Sequence, residues 1–408
     1  MMVVDRKKSA LWIAVGVVAA LAAVLVVVLV SRDEDPPPPG TRAELAPLAL
    51  SDRVWTADGV TLSLNRGSIA LRDGRLLART EEGIELLDVG SGKALWAQAD
   101  QADLPGRTVA LDLSASPRLP LLVGNGVLVG YNVFQCDLVE PGVALLSGDT
   151  GDVVWQTPTT PAEGCAQNRV GWKQELWAAD DTTALVTVTP NDGSPADLAQ
   201  VRVVALDVAT GQRKWEHQGA WPYATAGGVA LLSTTKPLPA GRFTGSGTVT
   251  ALDLATGQPT WSVDDAHLVR TAGDFVVIVT TDKTVRVLDA ATGREVARLP
   301  DADPESCVAD TTLVACQAGT RLVTFRLNDK AVKTAPLDTG TTLLSVVEGR
   351  VSVENPRRNP PIVTMDRTGH VVDEKPPGEL IAMTDDLLLV RVTRSEDDDF
   401  LAAYRLKA

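Results

Sequence analysis

The sequence predicts an all-β fold, because one hairpin motif recurs along most of the chain at intervals that suit a unit of four short strands. Apolar and β-branched runs, separated by Asp, Gly, Pro and Thr, fill the intervals between the copies. The last unit has only three predicted strands, and an early segment can complete it, so the units are expected to close into a ring. Together these observations predict an eight-bladed β-propeller of four-stranded antiparallel blades, with seven blades as the alternative.

The hairpin motif is clearest at residues 251–257, which read Ala-Leu-Asp-Leu-Ala-Thr-Gly and are followed by Trp261. The Asp side chain can accept hydrogen bonds from backbone amides of the turn, and the Gly tolerates the positive φ of a tight reversal. The Trp is too large to be buried by one hairpin, so it is predicted to pack on the neighbouring repeat. The predicted docking residues are Asp88, Gly92 and Trp96; Gly151 and Trp155; Asp207, Gly211 and Trp215; Asp253, Gly257 and Trp261; and Asp289 and Gly293. After Gly293, Ala297 stands where the other copies have Trp.

The spacing of the turn glycines sets the size of the repeat. The step from Gly211 to Gly257 is 46 residues and the step from Gly257 to Gly293 is 36 residues, which suits one four-stranded blade. The motif resembles that of the PQQ-type, or quinoprotein-like, β-propeller repeat family, whose blades carry Ala-x-Asp-x-x-Thr-Gly-x-x-x-Trp. The resemblance covers residues 50–408 and implies a propeller. That family includes quinoprotein dehydrogenases and a propeller subunit of the outer-membrane barrel assembly machine, so the resemblance implies no single activity.

The N-terminal region predicts a membrane anchor. Residues 10–30 carry no charge and are rich in Ala, Val and Leu, and a helix of this length can cross a hydrocarbon core about 30 Å thick. Basic residues precede this segment and acidic residues follow it, which predicts a short cytoplasmic tail at residues 1–9 and an extracytoplasmic domain. A cleaved signal peptide is the alternative, although the apolar segment does not end in a small-residue cleavage site.

The segment between the anchor and the first strands, residues 31–49, is acidic and contains four consecutive prolines. Such a run favours an extended, stiff conformation, so it is predicted to act as a spacer. The sequence therefore indicates a single-pass protein of the cell membrane, with a β-propeller at residues 50–408 outside the cytoplasm. This organisation is that of a membrane-anchored bacterial member of the family that the sequence resembles.

Closure of the ring depends on the two ends of the propeller. The segment around Trp55 is predicted to supply the outer strand that the last three strands lack, with Trp55 in the docking position. Residues 60–64 compete for the same place, and the sequence does not choose between them.

The strand order predicts two unlike ends of the disc. The Asp-containing turns lie on one end, the short-turn face, and the longer connections lie on the other end, the loop-rich face. The segments assigned to the loop-rich face are residues 100–118, 134–142, 157–173, 191–199, 236–247, 355–361 and 393–399. Trp and Arg are enriched in binding hot spots, so a candidate binding face is predicted from residues of this end: Trp172, Trp177, Trp221, Arg242, Phe243, Arg357 and Arg358. The alternative is that the Trp side chains pack beneath their own loops.

The four cysteines are predicted to form two disulfides, since an even count in an extracytoplasmic domain favours pairing. Cys307 and Cys316 flank a short strand reversal, and Cys136 and Cys165 fall in two segments of the loop-rich face. Free buried thiols are the alternative. The sequence has no Cys-x-x-Cys and no His beside the cysteines, so a zinc site is not predicted.

Two classes of function follow from the sequence. The excess of 52 acidic over 38 basic residues argues against a nucleic-acid partner. The quinoprotein dehydrogenases of the family hold PQQ with calcium and use a catalytic Asp, and many have adjacent cysteines, but this chain has no adjacent cysteines and no residue that can be matched to those ligands. The sequence therefore favours a non-catalytic binding or scaffolding module without a cofactor, which binds an extracytoplasmic protein or envelope polymer on the loop-rich face. The alternative is a PQQ-dependent, membrane-bound oxidoreductase that uses calcium.

Overall fold

The apolar runs and Gly-containing turns form β-strands throughout the described part of the chain. The structure, a computed structural model, describes residues 45, 50–57, 69–79, 83–99, 101–104, 107–111, 121–135, 138–160, 171–191, 197–236, 247–358, 362–373, 378–395 and 398–406. The described residues also contain a 3-10 turn, η1 (Leu198–Gln200). In the described part of the chain, no helix is long and apolar enough to span a bilayer. The predicted tail and anchor, and all of the linker except residue 45, lie outside the described residues and stay predictions.

The strands are short and are joined mostly by tight turns. In chain order they are β1 (Leu50–Ala57), β2 (Ile69–Arg72), β3 (Arg75–Arg79), β4 (Gly83–Asp88), β5 (Ala94–Ala99), β6 (Gln101–Leu104), β7 (Arg107–Leu111), β8 (Leu121–Val123), β9 (Gly126–Gln135), β10 (Leu138–Ser147), β11 (Val153–Pro158), β12 (Trp172–Ala179), β13 (Thr183–Pro190), β14 (Arg202–Asp207), β15 (Arg213–Gln218), β16 (Trp221–Ala226), β17 (Val229–Ser233), β18 (Gly247–Asp253), β19 (Pro259–Ala272), β20 (Phe275–Thr280), β21 (Val285–Asp289), β22 (Glu295–Leu299), β23 (Asp303–Ala309), β24 (Leu313–Ala318), β25 (Arg321–Arg326), β26 (Ala331–Pro336), β27 (Thr342–Val347), β28 (Arg350–Glu354), β29 (Ile362–Met365), β30 (Val371–Asp373), β31 (Glu379–Met383), β32 (Leu387–Ser395) and β33 (Asp398–Leu406).

Four sheets share one simple pattern. Sheet I (β2 to β5), sheet III (β12 to β15), sheet V (β23 to β26) and sheet VI (β27 to β30) each contain four antiparallel strands in sequence order. This is the meander that the repeated hairpin motif predicts.

Sheet II is larger, because an extra hairpin is added to it. Its strand order is β11-β10-β9-β7-β6, and β8 pairs with the first part of β9. Further along β9, Asn132 and Tyr131 pair with Ala110 and Leu111 of β7. The prediction of a loop at residues 134–142 is therefore wrong, because β9 and β10 remain paired there as far as Gln135 and Leu138. The predicted loop at residues 100–118 likewise contains the paired strands β6 and β7.

Sheet IV has seven strands, in the order β16 to β22. The strand that unites them is β19, which is 14 residues long. Its first part pairs with β18 and its second part pairs with β20, and Ala266 takes part in both ladders. Two four-stranded meanders thus share one continuous strand.

Sheet VII joins the two ends of the domain. Its order is β1-β33-β32-β31, so the earliest strand is the outer partner of the last one. The two strands are antiparallel, with Trp55 opposite Ala403. The prediction that the segment around Trp55 completes the last sheet is confirmed. The competing residues 60–64 lie outside the described residues.

The hydrophobic core lies between successive sheets. Leu77 of sheet I packs in one cluster with Val127 of sheet II, and Leu76 of sheet I packs with Leu387 and Leu401 of sheet VII. Comparable clusters join sheets II and III, III and IV, IV and V, V and VI, and VI and VII. Each fully buried Leu or Val side chain contributes about 1.5–3 kcal/mol. The sheets therefore form a closed ring, which is a β-propeller.

Candidate interaction surface

The Asp-containing turns of the short-turn face are closed by side-chain hydrogen bonds. The Asp253 carboxylate accepts hydrogen bonds from the backbone N–H of Thr256 at 2.8 Å and from its hydroxyl at 2.7 Å. Equivalent bonds form at Asp88, Asp207 and Asp289. The hydroxyl donors hold the pKa of each of these carboxyl groups below its ordinary value.

Each of these turns also receives an indole ring from the preceding repeat. Trp215 Nε1 donates to the carbonyl oxygen of Leu254 at 2.9 Å. The Trp215 ring lies on Gly257, where an added Cβ would be 2.7 Å from the ring, and the φ of Gly257 is 72°. Glycine is thus required there both by the backbone conformation and by the ring.

The same two contacts recur at four further interfaces. They join Trp55 to Val89 and Gly92, Trp96 to Gly148 and Gly151, Trp155 to Val208 and Gly211, and Trp261 to Ala290 and Gly293. The residue that follows the Asp also contacts the turn between the first two strands of its own sheet. The N–H of Leu254 donates to the carbonyl oxygen of Gly228, between β16 and β17, at 3.0 Å. The turn between the first and second strands of a sheet and the turn between its third and fourth strands therefore lie side by side on the short-turn face.

The candidate binding face is only partly exposed. Trp177 and Trp221 are buried, with 2% and 6% of their surface exposed, and their ring centroids lie 6.5 Å apart. The prediction that these two side chains are exposed for binding is wrong, because they pack on each other and on Val201 between sheets III and IV. For Trp177 and Trp221, the alternative prediction that the side chains pack beneath their own loops agrees with their burial.

The other members of that face have different surroundings. Trp172 is half-buried, and the Arg202 guanidinium lies 4.4 Å from its ring centroid. Arg357 is exposed. Arg358 Nε donates to Asp338 at 2.8 Å, so its charge is paired. Arg242 and Phe243 lie outside the described residues.

A charged group that the sequence did not predict lies beside the two buried Trp side chains. Glu175 is buried, and its Oε1 lies 3.0 Å from Lys173 Nζ and 3.8 Å from Lys236 Nζ. Lys236 Nζ is also 4.6 Å from the ring centroid of Trp221. The sequence signal is a Glu that stands directly before the apolar residues Leu176 and Trp177 of β12, which places a charge among core positions.

The Trp177 ring is fixed by a hydroxyl of the next strand. Its Nε1 donates to Thr187 Oγ1 at 2.8 Å, and that hydroxyl donates to the carbonyl oxygen of Glu175 at 3.3 Å. The backbone that carries the Glu175 carboxylate is therefore tied to β13.

The predicted disulfide between Cys307 and Cys316 is confirmed. It links the neighbouring strands β23 and β24, and both residues are fully buried. Cys136 and Cys165 lie outside the described residues, so their pairing stays a prediction.

Metal-binding side chains are not clustered in the described part of the chain. Across the described ranges, no group of three or more His, Cys, Asp or Glu side chains is placed to hold a metal ion. Burial lowers the pKa of His217 and of His267.

A ring of sheets joined by Trp-bearing hairpins defines a β-propeller of repeated tryptophan-docking motifs. A family model described as outer membrane protein assembly factor BamB matches residues 81–262 and, in a second match, residues 199–359. Because these matches together span more than half of the chain, the chain belongs to this family of PQQ-type repeat proteins.

Solved structures with similar folds include three of different kinds. BamB from Moraxella catarrhalis has 17% identity and a TM-score of 0.37 over 89% of this chain and 96% of that chain. Quinohemoprotein alcohol dehydrogenase from Comamonas testosteroni has 12% identity and a TM-score of 0.49 over 88% and 77%. The computationally designed Ika8 protein has 13% identity and a TM-score of 0.46 over 89% and 100%. No curated protein sequence matches the chain.

Proposed function

We propose that the protein is a membrane-anchored, extracytoplasmic β-propeller that binds or scaffolds a partner on its loop-rich face. The partner is a protein or an envelope polymer, and the predicted segment at residues 10–30 holds the propeller at the cell membrane. Eight blades follow when sheet IV is counted as two blades that share β19.

The observation that carries this proposal is the unequal height of the sheets. β3 has 5 residues, whereas β9 and β10 have 10 each. At about 3.4 Å per residue, the β9–β10 hairpin extends roughly 15 Å further than a strand like β3. Because its first part pairs with β8 near the short-turn face, the excess projects from the loop-rich face and carries the extra β6–β7 hairpin with it. Projections on a rigid ring are where binding sites commonly lie.

Site-specific photocrosslinking in native membranes tests the proposed face. A photoreactive residue at Arg357, which is exposed on the loop-rich face, is compared with one at Lys330, which is exposed in a turn of the short-turn face. We expect one defined crosslinked species from position 357 and none from position 330. The same products from both positions, or no product from position 357, would contradict the proposed face.

The proposed membrane anchor is tested separately. The full chain should remain in the membrane pellet after alkaline extraction, and a protease added outside the cytoplasmic membrane should reach the propeller. Release of the protein by alkali, or protection of the propeller from that protease, would contradict the anchor or its orientation.

The absence of a cofactor is also part of the proposal, and it has its own test. Purified full-length protein in detergent is mixed with PQQ and calcium. We expect no shift in thermal unfolding and no new absorbance band from the bound quinone. A saturable shift with such a band would favour the oxidoreductase alternative instead.

A further inference from the structure

The outer rim of the ring is formed by the outermost strands of the sheets, and most of these strands carry a charge. The rim strands of sheets III to VII are β15, the first part of β19, β22, β26, β30 and β1, and each contains an Asp, Glu, Lys or Arg. The rim strand of sheet II, β11, has no charge but ends at Pro158, which lacks an N–H. Charges and prolines on an edge strand oppose the addition of another strand there.

The rim strand of sheet I, β5, has neither feature. Residues 94–99 read Ala-Leu-Trp-Ala-Gln-Ala, and among the described strands β5 pairs with β4 alone. In an antiparallel pair only alternate residues exchange hydrogen bonds with the partner, so about half of the N–H and C=O groups of β5 point away from β4. Sheet I therefore presents an uncharged edge on which a further strand can pair.

The side chains of β5 are apolar where they are exposed. Leu95 is 44% exposed, and Ala97 and Ala99, which lie on one face of the strand, are exposed as well. Trp96 is buried, and its ring lies on Gly151 of the neighbouring sheet. Beyond an irregularity at Leu95, the ladder with β4 is regular from Trp96 to Ala99. The docked ring thus holds a short, regular and apolar edge in place on the rim.

One positive charge stands at the beginning of this edge. Lys93 is exposed, and its ammonium group has no carboxylate partner among the described side chains. It follows Gly92, on which the Trp55 ring lies, so the backbone at this end of β5 is held by the neighbouring sheet. In an antiparallel addition the C-terminal end of the added segment lies beside Lys93, where an acidic residue complements it.

We propose that β5 is the docking site for an extended segment of a partner protein, which adds to sheet I as a fifth, antiparallel strand. The matching segment is a run of small or β-branched uncharged residues followed by an acidic residue. The alternating N–H and C=O groups of a strand edge are matched in register by another strand, so the partner is a polypeptide and not a lipid surface. This site on the rim is distinct from the loop-rich face, and either site can fail while the other remains.

Fluorescence anisotropy of a labelled peptide, titrated with the full chain in detergent, tests the site. The probe is Thr-Val-Thr-Val-Thr-Val-Glu, with a fluorophore at its N-terminus and an amide at its C-terminus. The control probe has Pro in place of the second Val and the third Thr. Because adjacent residues of a strand direct their N–H groups to opposite edges, these prolines remove donors from both edges. We expect the probe to bind with a Kd below about 1 mM and the control probe to bind about tenfold more weakly or less.

Four variants locate the binding on the rim. Ala97→Lys places a charge in the regular part of the edge and should weaken the probe by about tenfold or more, and Leu95→Lys repeats the test at a second exposed position. Val154→Lys is the matched control, because Val154 is 57% exposed on the neighbouring rim strand β11; it should change nothing. Lys93→Glu should weaken the probe several-fold, and this variant should prefer a probe that ends in Lys.

Three results would overturn the proposal. One is that the probe does not bind, or binds no better than its proline control. Another is that Leu95→Lys and Ala97→Lys, with unchanged thermal midpoints, bind the probe as the unaltered chain does, or that Val154→Lys weakens it as much as they do. The third is that light scattering shows a dimer of the full chain that Ala97→Lys dissociates, because a second copy then occupies the edge. The crosslink expected at position 357 should be the same in all of these variants.

Discussion

The ring is closed by two kinds of interface. From sheet VII through sheet I to the middle of sheet IV, each interface has an indole that lies on a turn glycine and donates to a backbone carbonyl. From β22 onward the described residues have no such indole: Ala297 replaces it, and the methyl group of Ala335 lies nearest to Gly369. There the interface contains buried side chains such as Phe325 and the Cys307–Cys316 disulfide, which links β23 and β24. The same backbone arrangement is thus completed either by a docked indole ring or by apolar side chains without one.

The largest expected difference between the two kinds of interface comes from removing an indole. Trp215→Ala should lower the free energy of unfolding by about 3–5 kcal/mol, since it removes a buried ring and leaves the Leu254 carbonyl without its donor. The measurement is urea unfolding followed by far-UV circular dichroism. Val296→Ala, next to Ala297 in β22, is the control and should cost less than about 1 kcal/mol. Equal losses would show that the Trp-bearing interfaces are not special.

Adding a methyl group to a turn glycine should have the next largest effect. Gly257→Ala places a Cβ against the Trp215 ring at positive φ, whereas Gly319→Ala has positive φ but nothing within 4 Å of the new Cβ. The second substitution should therefore cost only the backbone strain of about 1 kcal/mol, and the first roughly 2–4 kcal/mol. Thermal unfolding of both variants checks this, and similar shifts would mean that the ring moves aside without cost.

Reduction of the disulfide probes the half of the ring without indoles. The bond closes a short loop, with a sequence separation of 9, so the double variant Cys307→Ala, Cys316→Ala should lose about 2–3 kcal/mol. The variant should be less stable than the unaltered chain by this amount in oxidising buffer, and the difference between the two proteins should disappear when both are reduced. A variant as stable as the oxidised chain would show that packing alone holds sheet V.

The smallest expected effect is on acid stability of the docking turns. Thr256→Val removes the hydroxyl that lowers the pKa of Asp253. Because the folded-state pKa is below the unfolded one, the stabilisation is present above a pH of about 4 and is lost as the pH falls through the folded pKa. The variant should therefore have a lower thermal midpoint than the unaltered chain at pH 6, and the difference should shrink toward pH 3. Thr256→Ser, which keeps the hydroxyl, should follow the unaltered chain.

Much of the ring could be predicted from the sequence because its determinants are local. The Asp, Gly and Trp of each hairpin are within a few residues of one another, and the spacing of the copies defines the repeat. Trp55 could be placed because ring closure leaves one strand missing, and the Cys307–Cys316 pair because the two residues flank a single reversal.

The errors arose where tertiary contacts override local signals. The segment at residues 134–142 reads as a loop because it contains Pro141 and Gly142, which disfavour strands. Pro141 is tolerated because it lies where the pairing of β10 with β11 has ended, at Gly142 and Pro158, so no strand on that side needs its N–H. The charged group around Glu175 was not predicted because Lys236 and Trp221 belong to another sheet than Lys173 and Glu175, and a single sequence does not show which distant residues meet.

The pairing of β1 with β33 has a consequence for biosynthesis. β1 is the first described strand of the ring and has no partner until β33 has been made, so the ring keeps two unpaired edges while the strands between them are synthesised. Loss of the last strand would leave those edges permanently available to other chains. Nascent copies thus expose these edges until β33 is complete, and a truncation that removes β33 should prevent closure of the ring.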